Sequence, residues 1–406
     1  MDRIILHVDM NNCYASIEAI LNPKLRGFPI AVCGSEEDRS GIVLAKSQEA
    51  KILGVKTAET IWEAKKKCPE LLVVPPHYDE YIKYSKLAKK LYYEYTNQVE
   101  SFGLDECWLD ITNSINLFGN SRNIAEDIRE RMKREIGITV SIGISFNKVF
   151  AKLGSDLKKP DAITEITKDN YKKIVWKLEV DKIIGIGKAT KKRLNSVGIF
   201  TLGELAKSDP GFLKRRLGIN GIYLWNYANG RDFSRVMDMN DRAPIKSIGH
   251  SITCREDLID DIEVRNVFQE LSLGLSKRLR DNDLEAGGIR ISIKDNELRR
   301  SQYQSPLPYK TLSSIIISEE GFKLFKNIYN WKKPIRALGI RAIDLRKRGE
   351  PKQINLFSNY HYIRNKEIVD RTIYDLRKRY GEEIISFGSL IGDIKLPKNR
   401  NHRAII

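Results

Sequence analysis

Two adjacent acids, Asp105 and Glu106, stand inside the run Ser101-Phe102-Gly103-Leu104-Asp105-Glu106-Cys107-Trp108-Leu109-Asp110, whose other members read as strand and core. Trp108, Leu109 and Ile111 favour a half-buried extended backbone. Ser101 and Gly103 mark a turn upstream, so the acids fall near the tip of a hairpin. Neighbouring side chains on a strand point to opposite faces, and only a bend lets both carboxylates reach one site. Two buried, uncompensated anions are costly and call for cations, hydrogen-bond donors or shared protons. Taken alone, the dipeptide is better explained as a solvated turn acid followed by a strand acid.

A second stretch changes that balance. Ile4-Ile5-Leu6-His7-Val8-Asp9-Met10 begins as a continuous apolar run, the pattern of a strand buried on both faces, and a helical pattern starts near Tyr14. Asp9 therefore sits at a strand exit. Three carboxylates from two strand ends can form an oxygen cage of the kind Mg²⁺ prefers, completed by water and phosphate oxygens. Two ions about 3.5–4 Å apart stabilise the attacking and leaving oxygens of a phosphoryl transfer.

Four segments, HVDMNNCYASIE (7–18), GLDECWLD (103–110), SIGISFNKVFAKLGSDLKKP (141–160) and GIGKATKKRL (185–194), occur in one order and spacing. In these segments the chain resembles the Y-family translesion DNA polymerases, which include bacterial DNA polymerase IV, over roughly residues 1–350. The resemblance implies a multidomain α/β and α+β right hand. Its palm would be residues 1–10 and 75–165, its fingers 11–74, and its small helical thumb 166–230. A linker (231–245), an α+β little finger (246–348) and a C-terminal tail (349–406) would follow.

The same resemblance implies roles for single residues. Asp9, Asp105 and Glu106 would be catalytic and, with the Met10 carbonyl, would hold two Mg²⁺ ions. Tyr14 would be an aromatic gate beneath the sugar of the incoming nucleotide, excluding a ribose 2′-hydroxyl by contact. Lys159 would reach the β- and γ-phosphates. Gln48 and Lys51 occupy positions where the family presents a Tyr and an Arg to the triphosphate. A lysine there is a point charge without the guanidinium fork, and Gln48 reads equally well as a solvated helix residue. Two further departures are Asn11, where many relatives have Asp, and Gly103, where the usual motif has Ser.

Charge supports a polyanionic partner: 70 Lys and Arg against 53 Asp and Glu give +17 at pH 7. Residues 166–230 hold 13 Lys/Arg against 5 Asp/Glu, a net +8. Within them Gly185-Ile186-Gly187-Lys188 before a helix resembles a helix-hairpin-helix, with Lys214–Ile219 as a weaker second copy. Its glycine backbone N–H groups would meet DNA phosphate. Val264–Leu279 reads as an amphipathic helix, and Gly288–Lys294 and Ile335–Ile343 as strands. Arg290, Lys294, Arg336 and Arg341 are candidate DNA contacts, with solubilising charge on an open sheet face as the competing reading.

Gln353-Ile354-Asn355-Leu356-Phe357 resembles the peptide by which bacterial polymerases dock on the sliding clamp, with Gln353, Leu356 and Phe357 as its contacts. Beyond it a helix is expected with Val369, Ile373, Leu376 and Tyr380 on one face, then a mobile basic end, 395–403. Five scattered cysteines without a CxxC pair, and no membrane-length apolar run, indicate a reduced, cytoplasmic protein. The expected activity is primer- and template-dependent addition of dNMPs by a monomer, without proofreading. Two other readings share parts of this pattern. A catalytically silent clamp- and DNA-binding protein has no use for the acids, and a palm-like nucleotidyl cyclase has no use for the basic C-terminal half.

Overall fold

In a computed structural model, which describes residues 2–241, 244–349, 360–382, 384–392 and 395–397, the apolar N-terminal run becomes β1 (Ile5–Met10). It is the central strand of a five-stranded sheet. The chain divides into two units, one of Met1–Cys33 and Val43–Arg242, the other of Gly34–Ile42 and Ala243–Ile405.

In the first unit β1 leads into α1 (Cys13–Leu21) and then a small sheet of β2 (Ile30–Cys33), β3 (Val43–Lys46) and β4 (Leu72–Val74). Between β3 and β4 lie α2 (Gln48–Ile52), capped by Ser47, and α3 (Ile61–Lys67), opened by a Thr60–Glu63 capping box. The long helix α4 (Tyr78–Tyr93) returns to the large sheet, where β5 (Val99–Phe102) and β6 (Glu106–Asp110) form the expected hairpin. Then come α5 (Ile115–Phe118), α6 (Ser121–Arg131), β7 (Val140–Ser145), α7 (Lys148–Leu157) and β8 (Ile163–Ile166). Asn120 caps α6: its side chain accepts from the Asn123 N–H at 2.9 Å.

The sheet order is β5-β6-β1-β7-β8, antiparallel except for the last pair. Alternation along β1 sorts its side chains. Leu6, Val8 and Met10 enter the main core with α4 and α6, while Ile5, His7 and Asp9 face the other way. Ile5 there packs with Trp108 and with Ala151 of α7.

Gly143 of β7 is what lets α7 lie so close. A β-carbon there would sit 1.9 Å from the Ala151 carbonyl oxygen and 2.5 Å from the Ser155 nitrogen. Gly143→Ala is therefore expected to destabilise the protein by about 1–3 kcal/mol or more through overpacking, measurable as a lowered urea midpoint.

Helices α8 (Tyr171–Val175), α9 (Lys188–Asn195), α10 (Leu202–Lys207), α11 (Pro210–Leu217) and α12 (Ile219–Ala228) surround a core that includes Leu194, Leu202, Leu213 and Leu224 and takes in Phe150 and Leu153 of α7. Residues 231–241, polar enough to read as a tether, instead run along the large sheet. Val236 is buried with Trp108, and the Met237 and Met239 N–H groups donate to Glu100 and to the Asn97 carbonyl.

The second unit has the order β9 (Ile248–Leu258), α13 (Asp261–Asp281), β10 (Leu284–Asp295), β11 (Arg300–Thr311), α14 (Ser314–Ile328) and β12 (Ile335–Lys347). Its four strands are antiparallel in the order β11-β10-β12-β9, with α13 and α14 packed on one face. A final helix, α15 (Tyr360–Tyr380), docks differently from the expected apolar stripe. Val369 and Tyr380 are exposed, and the docking face centres on buried Asp370, which accepts from the Ser313 and Ser314 hydroxyls. Of the basic end expected to be mobile, Lys395 and Leu396 are packed: the Arg255 N–H donates to the Lys395 carbonyl at 2.8 Å, and Leu396 is in the core. Residues 353–357 lie outside the described residues.

Candidate active site

The register of the sheet brings the acids together. Glu106 is the first residue of β6 and lies directly opposite Asp9 of β1, so both side chains share the α7 face. Asp105 precedes the strand and escapes its alternation. The Gly103 φ of +86° opens the turn, and the Asp105 carbonyl accepts from the Met10 N–H at 3.0 Å. Ser85 of α4 braces the same turn by donating to the Leu104 carbonyl at 2.6 Å.

Cations meet these acids from α7 and just beyond it. Lys159 Nζ lies 2.6 Å from Asp9 Oδ2 and 2.8 Å from Asp156 Oδ1. Lys152 pairs with Glu106, and His7 Nε2 is 3.3 Å from the same carboxylate. His7 is fully buried and its Nδ1 lies 2.8 Å from Ser155 Oγ. The Ser155 hydroxyl itself donates to the Lys152 carbonyl at 2.8 Å, so His7 is tied to the turn of α7 that carries Lys152. Lys152, Ser155 and His7 were missed in the sequence. The spacing of Lys152, Ser155, Asp156 and Lys159 on one helical face, and of His7 two residues before Asp9, is the signal that points to them.

The electrostatics are strained. Burial, helped by the charges of Glu106 and Asp105, prevails over Lys159 and raises the Asp9 pKa from 3.8 to about 7. Burial first and Glu106 second raise Asp105 as well. Burial also works against Glu106, but His7 and Lys152 overcome it and hold the acid at about 2. Among the described residues no three His, Cys, Asp or Glu side chains converge tightly enough to cage an ion as they stand. The donor set nevertheless suits a hard divalent cation: all oxygen, anionic and internally repelling.

Asp9 titrates higher when folded than unfolded, so its stabilising contribution is complete below about pH 4 and is lost as pH rises towards 7. Glu106 has the opposite sign: its contribution is present above its unfolded value of 4.5 and is lost as pH falls towards 2. For the metal-free protein, the melting temperature of Asp9→Asn relative to the parent should rise between about pH 4 and 7. Parallel melting curves across that window would refute this.

The ring of Tyr14 reaches the same end of the site. Partial burial first, then Asp105, push its hydroxyl up to about 12. On the small sheet, Gln48 opens α2 with its Oε1 buried and unpartnered among the described residues, while Lys51 is exposed. Lys46, which the sequence pattern did not single out, donates to Thr57 Oγ1 at 3.0 Å, and its pKa is lowered by partial burial and by Lys51.

A cleft of about 440 Å³ is lined by Lys152 and Asp156 on one side and by Lys182, Gly185 and Gly187 on the other. Gly185 is at φ +94°, and Gly187 N-caps α9 with open space around it and Lys188 exposed beside it. In the second unit Arg290 and Arg341 are direct cross-strand partners, as are Lys294 and Arg300, on the face away from the core. Arg336 is set apart from them at a register shift between Ile335 and Ala337.

A family model described as the impB/mucB/samB family matches residues 8–156, and its C-terminal-domain model matches 245–356. DNA polymerase IV of Acetivibrio thermocellus is 48% identical over 393 residues, covering 97% of this chain and 98% of that protein. The chain belongs to the Y family of DNA polymerases. DNA polymerase IV 1 of Bacillus subtilis is 38% identical over 390 residues, covering 96% of this chain and 93% of that one. A solved Y-family DNA polymerase chimera shares the fold with TM-score 0.74 at 23% identity, over 84% of this chain and 98% of its own. The right-hand fold class expected for a Y-family polymerase is thus the one observed.

Proposed function

We infer that the chain is a template-directed DNA polymerase of the translesion type, adding dNMPs to a primer 3′-hydroxyl. One observation carries the mechanism: Asp9 and Glu106 share a face with Asp105 at the turn, and Lys152 links that face to the cleft ending at Gly185 and Gly187. Asp9, Asp105, Glu106 and the Met10 carbonyl would hold two Mg²⁺ ions, which supply Lewis-acid activation of the hydroxyl and charge stabilisation of departing pyrophosphate.

The chain's own groups do the positioning. His7 and Lys152 keep Glu106 ionised and oriented. Lys159, poised between Asp9 and Asp156, neutralises the triphosphate, with Lys51 and Gln48 at its far end. Tyr14 excludes a 2′-hydroxyl. Backbone N–H groups at Gly185 and Gly187, with Lys188, hold the primer strand through its phosphates. Arg290 opposite Arg341, and Lys294 opposite Arg300, are like-charge pairs that an anion relieves, which favours a duplex backbone over mere solubilisation on that face. Arg336 makes a separate contact.

Residues 1–10 with 75–165, 11–74, 166–230 and 246–348 serve as palm, fingers, thumb and little finger, joined by 231–245. Gln353, Leu356 and Phe357 of the tail (349–406) dock on a sliding clamp. None of the five cysteines forms a disulfide, all are buried, and no helix among the described residues is long and apolar enough to cross a membrane; a cytoplasmic monomer is the state we propose. The test is Mg²⁺- and dNTP-dependent extension of a labelled primer–template. Salt-sensitive DNA binding without extension under any divalent metal would instead restore the silent binder, which the polymerase names of the relatives disfavour.

A further inference from the structure

Tyr14 does not stand alone. Its ring stacks on Tyr81 of α4, with centroids 4.2 Å apart and planes 9° from parallel. Tyr78 meets both edge-on, at 6.3 and 5.8 Å. Tyr81 is fully buried, and its hydroxyl donates to the carboxylate of Glu18, itself only 3% exposed. His77 Nδ1 lies 3.0 Å from both oxygens of that carboxylate and must be the donor. The spacing is reciprocal: Tyr14 and Glu18 are one turn apart on α1, as His77 and Tyr81 are at the start of α4. Tyr81 thus spans a turn of α1, ring against Tyr14 and hydroxyl on Glu18.

A buried carboxylate costs stability unless donors satisfy it, and breaking such a set leaves an unpaired charge. Here both donors, the His77 ring and the Tyr81 hydroxyl, converge on Glu18. We propose that Glu18 and His77 lock Tyr81 as a fixed backstop for Tyr14 and so set how strictly the polymerase rejects ribonucleotides. Without the lock, Tyr81 can slide within its layer, Tyr14 can retreat, and room opens for a 2′-hydroxyl. This rests on Tyr14 being the sugar gate.

The measurement is the ratio of kcat/KM for a dNTP to that for the matching rNTP on one primer–template. A misfolded fraction cancels in that ratio. Tyr14→Ala should lower it by about 100-fold or more, as loss of a steric exclusion. Tyr81→Phe and Glu18→Gln, which keep ring and volume, should each lower it about tenfold, as for one hydrogen bond to a charged group. The change should appear mainly as a smaller KM for the rNTP. The two changes combined should do little more than either alone, because both act on the same bond, Phe removing it and Gln stripping it of its charge. Parent-like ratios in Tyr81→Phe and Glu18→Gln beside a relaxed Tyr14→Ala would overturn the lock and leave the gate. A Tyr14→Ala enzyme as selective as the parent would overturn both.

Discussion

Primer extension by the Asp105→Ala, Glu106→Ala double variant should fall by about 10³-fold or more, because the metal-held charge stabilisation removed with these acids amounts to several kcal/mol. The loss should lie in kcat, with DNA affinity unchanged or slightly tighter, since two anions leave a site that a polyanion approaches. The structure also predicts a contrast. Lys152→Ala leaves Glu106 with His7 as its remaining partner and should cost less than the double variant. Equal extension by parent and double variant would mean that the acids are misassigned.

The second large effect is on binding. Affinity for primer–template should drop by about 10³-fold or more between 50 and 200 mM salt, as expected for six or more phosphate contacts. Replacing Lys188, Arg290, Lys294 and Arg341 together by alanine should reduce the slope of log K against log salt by about 4, one unit per charge. Fluorescence anisotropy on a labelled hairpin reads both numbers. A slope unchanged by the four substitutions would assign these cations to solubility alone, the reading that an open sheet face always allows.

Much of this was visible in the residues themselves, for reasons that differ from place to place. The apolar run before Asp9 carries the pattern of a buried strand and Gly103 before two acids that of a turn, so the strand exit and the hairpin tip were legible without coordinates, while the grouping of the three acids in one site came from the resemblance. Their cations were not legible in this way. Lys152 lies on α7 and Lys159 just beyond it, the distance of that helix from the sheet depends on Gly143, and helical spacing marks their common face without naming the strand about 150 residues away that it meets. Strand β11 escaped notice because Arg300–Thr311 is polar and contains Pro306 and Pro308, and prolines fit there because the strand lies at the sheet edge. Asp370 was hidden for the opposite reason. A helix read for its apolar stripe instead turned out to dock through a buried acid and two serine hydroxyls.

The packing of Leu396 has a consequence in time. Strand β9 of the second unit keeps a place beside Arg255 for chain made 141 residues later, whose Leu396 carbonyl accepts from the arginine Nε at 2.7 Å. Domains tend to fold as units while synthesis proceeds. This one cannot complete its core when its own strands and helices have emerged. It waits, with an apolar slot still open, until the chain beyond α15 has been made and has turned back.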